Sequence, residues 1–247
     1  MGKRGSVVRA TVVLVGLTGL VACDATLASR DDVFSHGADH LVLCAENIDD
    51  VYGVGVPEIA DALDRAEADG ATLHLYTHTP GKTVAMTKIE GVLAAVADRH
   101  MQFATYDDLN AGEVPGSLAL SFDDHAVAAW TAMRPVLDHY GARVTFFIST
   151  FLTLTDDERA QVQQLADDGH DIEYHSTNHF DAVSYSMTVG MNTYLDDDIF
   201  PALDAMHAAG YATPIFAYPH GARDDDTDAA LSQYFAHLRA IRTTCPW

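Results

Sequence analysis

Ser117-Leu118-Ala119-Leu120-Ser121-Phe122-Asp123-Asp124-His125 is a short apolar run that ends abruptly on two adjacent carboxylates. Strands covered on both faces in a parallel sheet carry no polar alternation, so the run predicts a buried strand. Pro115 and Gly116 punctuate its start, and a helical pattern over 126–140 follows its end. Two acids where a strand feeds a helix are costly unless they are solvated or used. The carboxyl end of a strand is also where α/β enzymes hold their catalytic groups. The competing reading is a solvated turn that caps the helix.

Working outward, residues 41–45 and 71–77 read as strands, while 57–68 and 87–99 read as helices. Pro57 opens the first of these helices and Gly70 stops it. A short strand at 102–106 leads into the central run. Downstream come strands at 143–148, 171–174, 213–217 and 238–242, separated by helices at 156–168, 202–209 and 224–235. Strands alternating with helices at this rhythm predict parallel βαβ units. Seven or eight such units fit a distorted (β/α)7-8 TIM-like barrel, an α/β fold in a single domain, better than an open sheet. Residues 23–40 are polar and read as a linker to a barrel domain over 41–247.

The composition narrows the function. The chain of 247 residues is 48% hydrophobic, enough for a full core, and has a formal net charge of −22. That charge argues against nucleic acid and against adhesion to anionic membrane surfaces. Lys3, Arg4 and Arg9 precede an apolar run over 10–20 that is too short to span a bilayer. Leu20-Val21-Ala22-Cys23 follows, a small-residue cleavage site that resembles a bacterial lipobox. Residues 1–22 therefore read as a lipoprotein signal peptide, with Cys23 as the lipidated first residue of an exported, membrane-anchored protein of the cell envelope. An ordinary secretory signal with a chance cysteine is the alternative. Cys44 and Cys245 lie near opposite ends of the mature chain, which a closed barrel makes neighbours. Two inert buried thiols are the default reading, with a disulfide as the alternative.

Residues able to bind a metal or move a proton recur just after the strands: His78, the Asp123-Asp124-His125 run, His175 with His179, and Tyr218-Pro219-His220. In a barrel these strand ends converge on one face. The i, i+4 spacing of His175 and His179 places two imidazoles on one side of a helical turn, able to share an ion. Two His and one carboxylate leave open positions for water and substrate. The second carboxylate can then take the proton of a water attacking a carbonyl that the metal polarises. Spacing does not say which aspartate binds. Trp130, Tyr140, Phe146 and Phe147 read as core. His74, His100, His139, His207 and His237 read as surface or satisfied helix histidines. Asp196-Asp197-Asp198 and Asp224-Asp225-Asp226 read as solvated faces, the second at a helix start.

These residues resemble the polysaccharide deacetylases of carbohydrate esterase family 4. Ser121-Phe122-Asp123-Asp124 is similar to that family's first motif, and His175-Ser176-Thr177-Asn178-His179 matches its His-[Ser/Thr]-x-x-His motif. The resemblance implies Asp123 as general base and Asp124, His175 and His179 as metal ligands. Phe216-Ala217-Tyr218-Pro219-His220-Gly221 resembles the third motif, a wall of the substrate groove, which implies Tyr218, Pro219 and His220 as substrate-binding residues. Four departures stand out. Position 125 is His where the family commonly has Gly, and position 220 is His where it commonly has Tyr. The arginine that orients the base is not at its usual place, which leaves Arg223, Arg239 and Arg242 as candidates. The late Leu-x-His motif is missing. Leu73-His74-Leu75-Tyr76-Thr77-His78 resembles the circularly permuted poly-N-acetylglucosamine deacetylases, in which the acid histidine comes first, and implies His78 as general acid.

The resulting expectation is a metal-dependent hydrolase removing N-acetyl groups from an N-acetylated polysaccharide. Zinc leads among divalent metals, with cobalt, nickel and iron suited to the same ligands. The rivals are an O-acetyl esterase on the same site, a catalytically silent glycan-binding lipoprotein, and a two-His-one-carboxylate iron oxygenase.

Overall fold

A computed structural model describes residues 1–2, 26–37 and 40–246. The signal peptide and Cys23 lie outside the described residues. Among those described, no helix is long and apolar enough to cross a membrane.

The strands are β1 (Phe34–Ser35), β2 (Val42–Asn47), β3 (Thr72–Thr77), β4 (Gln102–Phe103), β5 (Ser117–Asp124), β6 (Thr145–Ile148), β7 (Asp171–Tyr174), β8 (Ile215–Ala217) and β9 (His237–Ile241). Seven of them close a parallel barrel in the order β2-β3-β5-β6-β7-β8-β9, with β9 returning to β2. The expected α/β barrel is therefore present. Its distortion sits at one seam. β2 meets β3 only at Glu46↔Leu75 and Asn47↔Tyr76, near their carboxyl ends. Below that point antiparallel β1 takes the edge of β3, pairing Phe34 with Leu73.

Local chemistry explains most element ends. The helix Val56–Asp69 has Pro57 in its first turn, buries Ile59, Ala62, Leu63 and Ala66, and stops at Gly70 in the left-handed conformation that favours glycine. The helix Asp156–Asp167 starts at a capping box between Thr155 and Glu158. The apolar residues of the strands split into two layers. One set packs outward under the helices, whereas Leu43, Ala119, Phe147, Ile215 and Ala217 fill the barrel with Tyr106 and Leu109.

Several expectations are corrected. The expected helix over 126–140 is two short helices, Val127–Ala132 and Arg134–His139. Pro135 is the cause, since it lacks an N–H and its ring crowds the carbonyl four residues back. The short strand ends at Phe103. Thr105 and Asp108 then form a capping box that starts the helix Tyr106–Ala111, closing the bottom of the barrel. Residues 26–37 are not free chain: Leu27 and Val33 are fully buried, and Arg30 pairs with Glu46 at 2.5 Å. His74 is no surface histidine. It is wholly inside the barrel between Ser35 and Tyr106 (2.7 and 3.1 Å), and burial holds its pKa down to about 3. Cys44 and Cys245 are joined in a disulfide instead of remaining thiols. β2 lies beside β9, with Cys44 opposite Ala240, so the chain leaving β9 passes Cys44 within five residues.

Candidate active site

A cleft of about 370 Å³ opens at the carboxyl ends of the strands. It is lined by His78, Asp123, Asp124, His175, His179 and His220, with Tyr218 in its wall. A larger cleft of about 690 Å³ lies on the flank between Arg134, Asp138 and His170, and holds no comparable set of groups. The strand-end residues picked from sequence thus come together, with the exceptions of the buried Pro219 and of His125. Its Nδ1 meets the Thr150 hydroxyl at 2.6 Å and its Nε2 lies 3.4 Å from Glu158, so the ring is drawn to the neighbouring loop.

Consecutive residues on a strand face opposite sides. Asp123 continues the inward face of β5 with Ala119 and Ser121. Asp124 would point away were it not for its φ of 85°, a left-handed conformation that Asp tolerates better than most residues. This break brings both carboxylates to the cleft.

Asp124, His175 and His179 form the metal-ligand group found among the described residues. Asp124 Oδ1 lies 3.0 Å from His179 Nε2 and 3.5 Å from His175 Nε2, and the two imidazole nitrogens are 3.2 Å apart. A tetrahedral ion with ligand bonds of ~2.0–2.1 Å has edges of roughly 3.3 Å, so the three atoms fit one ion. His175 Nδ1 donates to the Ala217 carbonyl at 2.8 Å. That fixes the tautomer and leaves the Nε2 lone pair free for a metal. Burial would raise the Asp124 carboxyl, but hydrogen bonds from His175 and His179 and the charges of His175 and His78 outweigh it and hold the group far below the usual carboxylate range.

The two histidines do not sit on a helical turn, as their spacing suggested. Residues 175–179 form an irregular loop in which Ser176 (φ 70°) and His179 (φ 61°) are both left-handed. Such a conformation costs a non-glycine residue roughly 1–2 kcal/mol, so the loop needs external support. The His179 amide donates to Ser176 Oγ at 2.8 Å, and the Thr177 amide to the Asp198 carbonyl at 2.7 Å.

Asp123 is 2% exposed and is paired with Arg239, which is wholly buried. Of the three candidate arginines, this one reaches the base. Arg223 pairs with Asp228, and Arg242 with Glu46. Burial opposes the charge on Arg239, but Asp123 outweighs it and its pKa is raised. Its guanidinium also lies 4.6 Å from the Tyr76 ring centre and 5.1 Å from that of Phe147, a cation–π setting. Asp123 Oδ2 is held by Arg239, while Oδ1 is buried with no hydrogen-bond partner among the described residues. An orphaned buried carboxylate oxygen is uncommon, and this one belongs to a residue that lines the cleft.

His78 follows β3 and donates Nδ1–H to Asp49 at 2.5 Å. Asp49 also accepts from the hydroxyls of Thr77 and Thr83. Burial pushes the His78 pKa down, but the Asp49 hydrogen bond and the charges of Asp123 and Asp49 prevail, and it is raised. Its carbonyl accepts from Trp130 Nε1 at 2.9 Å, so Trp130 does more than fill the core. Asp49 was not singled out from the sequence, because Asp49-Asp50 after a strand reads as an ordinary polar turn.

The third motif is placed less simply. Tyr218 is 1% exposed and donates its hydroxyl to Asp228 at 2.7 Å, so it forms a wall and does not present its oxygen to the cleft. Pro219 is buried. His220 is exposed, with its ring edge-on to that of His179 at 4.6 Å between centres. Gly221 is required there, since a Cβ would collide with Ile241.

A profile of the polysaccharide deacetylases matches residues 111–237, just over half of the chain. The chain belongs to the polysaccharide deacetylase family. Among solved structures it is similar to a polysaccharide deacetylase from Bacillus cereus, with 14% identity and a TM-score of 0.54, over 68% of this chain and 56% of that one. It therefore spans little more than half the length of that relative. It also matches the BpsB deacetylase domain from Bordetella bronchiseptica, with 12% identity and a TM-score of 0.48, over 61% of this chain and 82% of that one. A further match is IcaB from Ammonifex degensii, with 19% identity and a TM-score of 0.44, over 84% and 86% of the two chains. Identities this low speak to the fold alone. No curated protein matches.

Proposed function

We propose that this chain is a metal-dependent hydrolase that removes acetyl groups from the amino sugars of an N-acetylated polysaccharide. The observation that carries the reading is the free buried oxygen of Asp123 in one cleft with a three-ligand metal cluster and a His–Asp pair. A divalent ion held by Asp124, His175 and His179, with zinc first among zinc, cobalt, nickel and iron, would supply Lewis acidity toward the acetyl carbonyl.

The protein groups divide the remaining work. Asp123 Oδ1 takes the proton of the attacking water, while Arg239 keeps the carboxylate turned toward the cleft through Oδ2. A C–O bond forms as the water oxygen attacks the carbonyl. His78, oriented by Asp49 through Nδ1, gives its Nε2 proton to the amide nitrogen as the C–N bond breaks. Amine and acetate leave, and the two groups exchange their protons with solvent.

The acid histidine ahead of the Asp pair supports a polymer of N-acetylglucosamine as substrate, by the resemblance to the circularly permuted subgroup. By the same reading the chain is exported and held to a bacterial membrane through a lipid on Cys23. Labelled palmitate that fails to enter the expressed protein would remove the anchor from this account.

The decisive experiment is acetate release from N-acetylglucosamine oligomers, with and without chelator, for the wild type and Asp123→Asn. Loss of activity in both treatments is expected, with a fall of about 10²–10⁴-fold in the variant. Activity indifferent to chelator and to the substitution overturns the mechanism. Release only from O-acetylated sugars makes the protein an esterase.

A further inference from the structure

The triplet Asp196-Asp197-Asp198 reads as a solvated acidic face, yet its members have different fates. Asp196 and Asp197 are exposed, whereas Asp198 is completely buried. The segment Leu195–Ile199 is a turn of π-helix, one residue wider per turn than the α-helices either side of it. Such bulges turn a side chain off the face it would otherwise occupy, and here the displaced side chain is a carboxylate.

That carboxylate meets the loop between the two metal-binding histidines. Asp198 Oδ1 accepts the Asn178 amide at 2.5 Å, and its carbonyl accepts the Thr177 amide at 2.7 Å. The Ser176 hydroxyl and the Phe180 amide adjoin the same carboxylate. Neighbouring contacts complete the brace. Asn178 Nδ2 donates to the Asp197 carbonyl, Thr177 Oγ1 accepts the Ala202 amide, and the Tyr174 hydroxyl bridges Thr177 Oγ1 with the Asp198 and Ile199 carbonyls. The residues held, 177 and 178, lie between the left-handed Ser176 and His179. Without the Asp198 carboxylate the Asn178 amide would be left unpaired, only the backbone bond from Thr177 would remain, and the loop would be freer to relax to ordinary backbone angles. His175 would stay at the end of β7, and His179 would move away from it.

We propose that Asp198 is a positioning residue for the metal centre, holding the 175–179 loop so that both imidazoles reach one ion. The proposal rests on the metal reading of Asp124, His175 and His179 but not on the substrate. Its consequence is that metal affinity depends on a residue that touches neither metal nor sugar.

The test uses the purified full chain and two variants, Asp198→Ala and Asp198→Asn, with Asp197→Ala as control. Zn2+ affinity is measured by competition with a chromogenic chelator, the ligand field by the absorption spectrum of the Co2+ form, and folding by thermal melting of the metal-free protein. Asp198→Ala should weaken Zn2+ binding by ~10–100-fold, the range for groups that orient metal ligands, and change the Co2+ spectrum. Asp198→Asn retains an oxygen that can accept the Asn178 amide and should recover much of the affinity. Asp197→Ala should bind as the wild type does. Wild-type Zn2+ affinity and an unchanged Co2+ spectrum in both Asp198 variants, whatever their melting temperatures, overturn the proposal. So does a wild type that binds no metal. A wild type that binds metal but releases no acetate defeats the proposed activity and leaves this inference standing.

Discussion

Two pairs of acids sit on strands of one barrel, β5 and β7, separated by β6, and meet opposite fates. Asp123 and Asp124 end β5 at the open face, whereas Asp171 and Glu173 point inward from β7 toward the floor. The upper pair is surrounded by cations and their precursors: Arg239 on Asp123, and His175 and His179 on Asp124. Among the described residues no ion pair joins the lower pair to a cation. Glu173 is fully buried and accepts the Ile215 amide at 3.0 Å, and burial together with the Asp171 charge pushes its pKa well up. Asp171 is pushed up to about 7, mainly by burial, against hydrogen bonds from Thr145 and the Asp107 amide. Strand position alone does not make a carboxylate functional. What separates the pairs is whether the sequence supplies a positive partner at the same level of the barrel.

The largest effect that could break this contrast comes from Asp124→Ala. Losing a direct ligand should cost more metal affinity than the ~10–100-fold typical when a group behind a ligand is removed. Elemental analysis of the purified variant should find the metal depleted and acetate release at background. Wild-type metal content would remove Asp124 from the centre.

A smaller effect is expected from the acid side of the cleft. His78→Ala should lower kcat by about 10²–10⁴-fold while metal content stays at the wild-type level. Asp49→Asn should retain more activity and move the alkaline limb of the kcat/KM profile to lower pH. The sign follows from the protonated imidazole being the active form. Asp49 helps to raise its pKa, so weakening that support deprotonates His78 sooner as pH rises. Metal lost from His78→Ala would instead make it a ligand or a structural residue.

The smallest effect concerns stability at the floor. Asp171 binds its proton more tightly in the folded chain than an ordinary carboxylate does in an unfolded one, so folding is most favoured below about pH 4. That advantage is lost as pH climbs toward the raised value near 7. Asp171 borders a cavity of about 430 Å³, so solvent tempers the effect to on the order of 1–3 kcal/mol. Asp171→Asn should flatten the pH dependence of the urea midpoint between pH 4.5 and 7.5. Identical slopes for variant and wild type would show that the floor acids are no different from exposed ones.

The legible part of this chain was its rhythm and its strand ends. Apolar runs bounded by turn residues located all seven barrel strands, and the convergence of their carboxyl ends brought Asp123, Asp124, His175, His179 and His78 to one cleft. What stayed hidden depends on contacts distant in sequence. Arg239 was one of three equal candidates, because only closure of β9 beside β2 selects it. Asp49 and Asp198 both lie in acidic runs that look solvated, and nothing local distinguishes the buried member from its neighbours. The i, i+4 histidines gave the right ligands with the wrong backbone, since proximity in a loop held by outside hydrogen bonds mimics one helical turn. The split at Pro135 and the Thr105–Asp108 capping box, by contrast, were readable from local rules.

Asp123 and its arginine are 116 residues apart, and the arginine rides on the strand that seals the barrel. His78 and Asp49 lie early in the sequence, the metal-ligand cluster in its middle and Arg239 near its end. β9 gives β2 its neighbour on one edge and gives the β5 carboxylate its counter-ion. Sealing the barrel and holding the base therefore depend on the same strand.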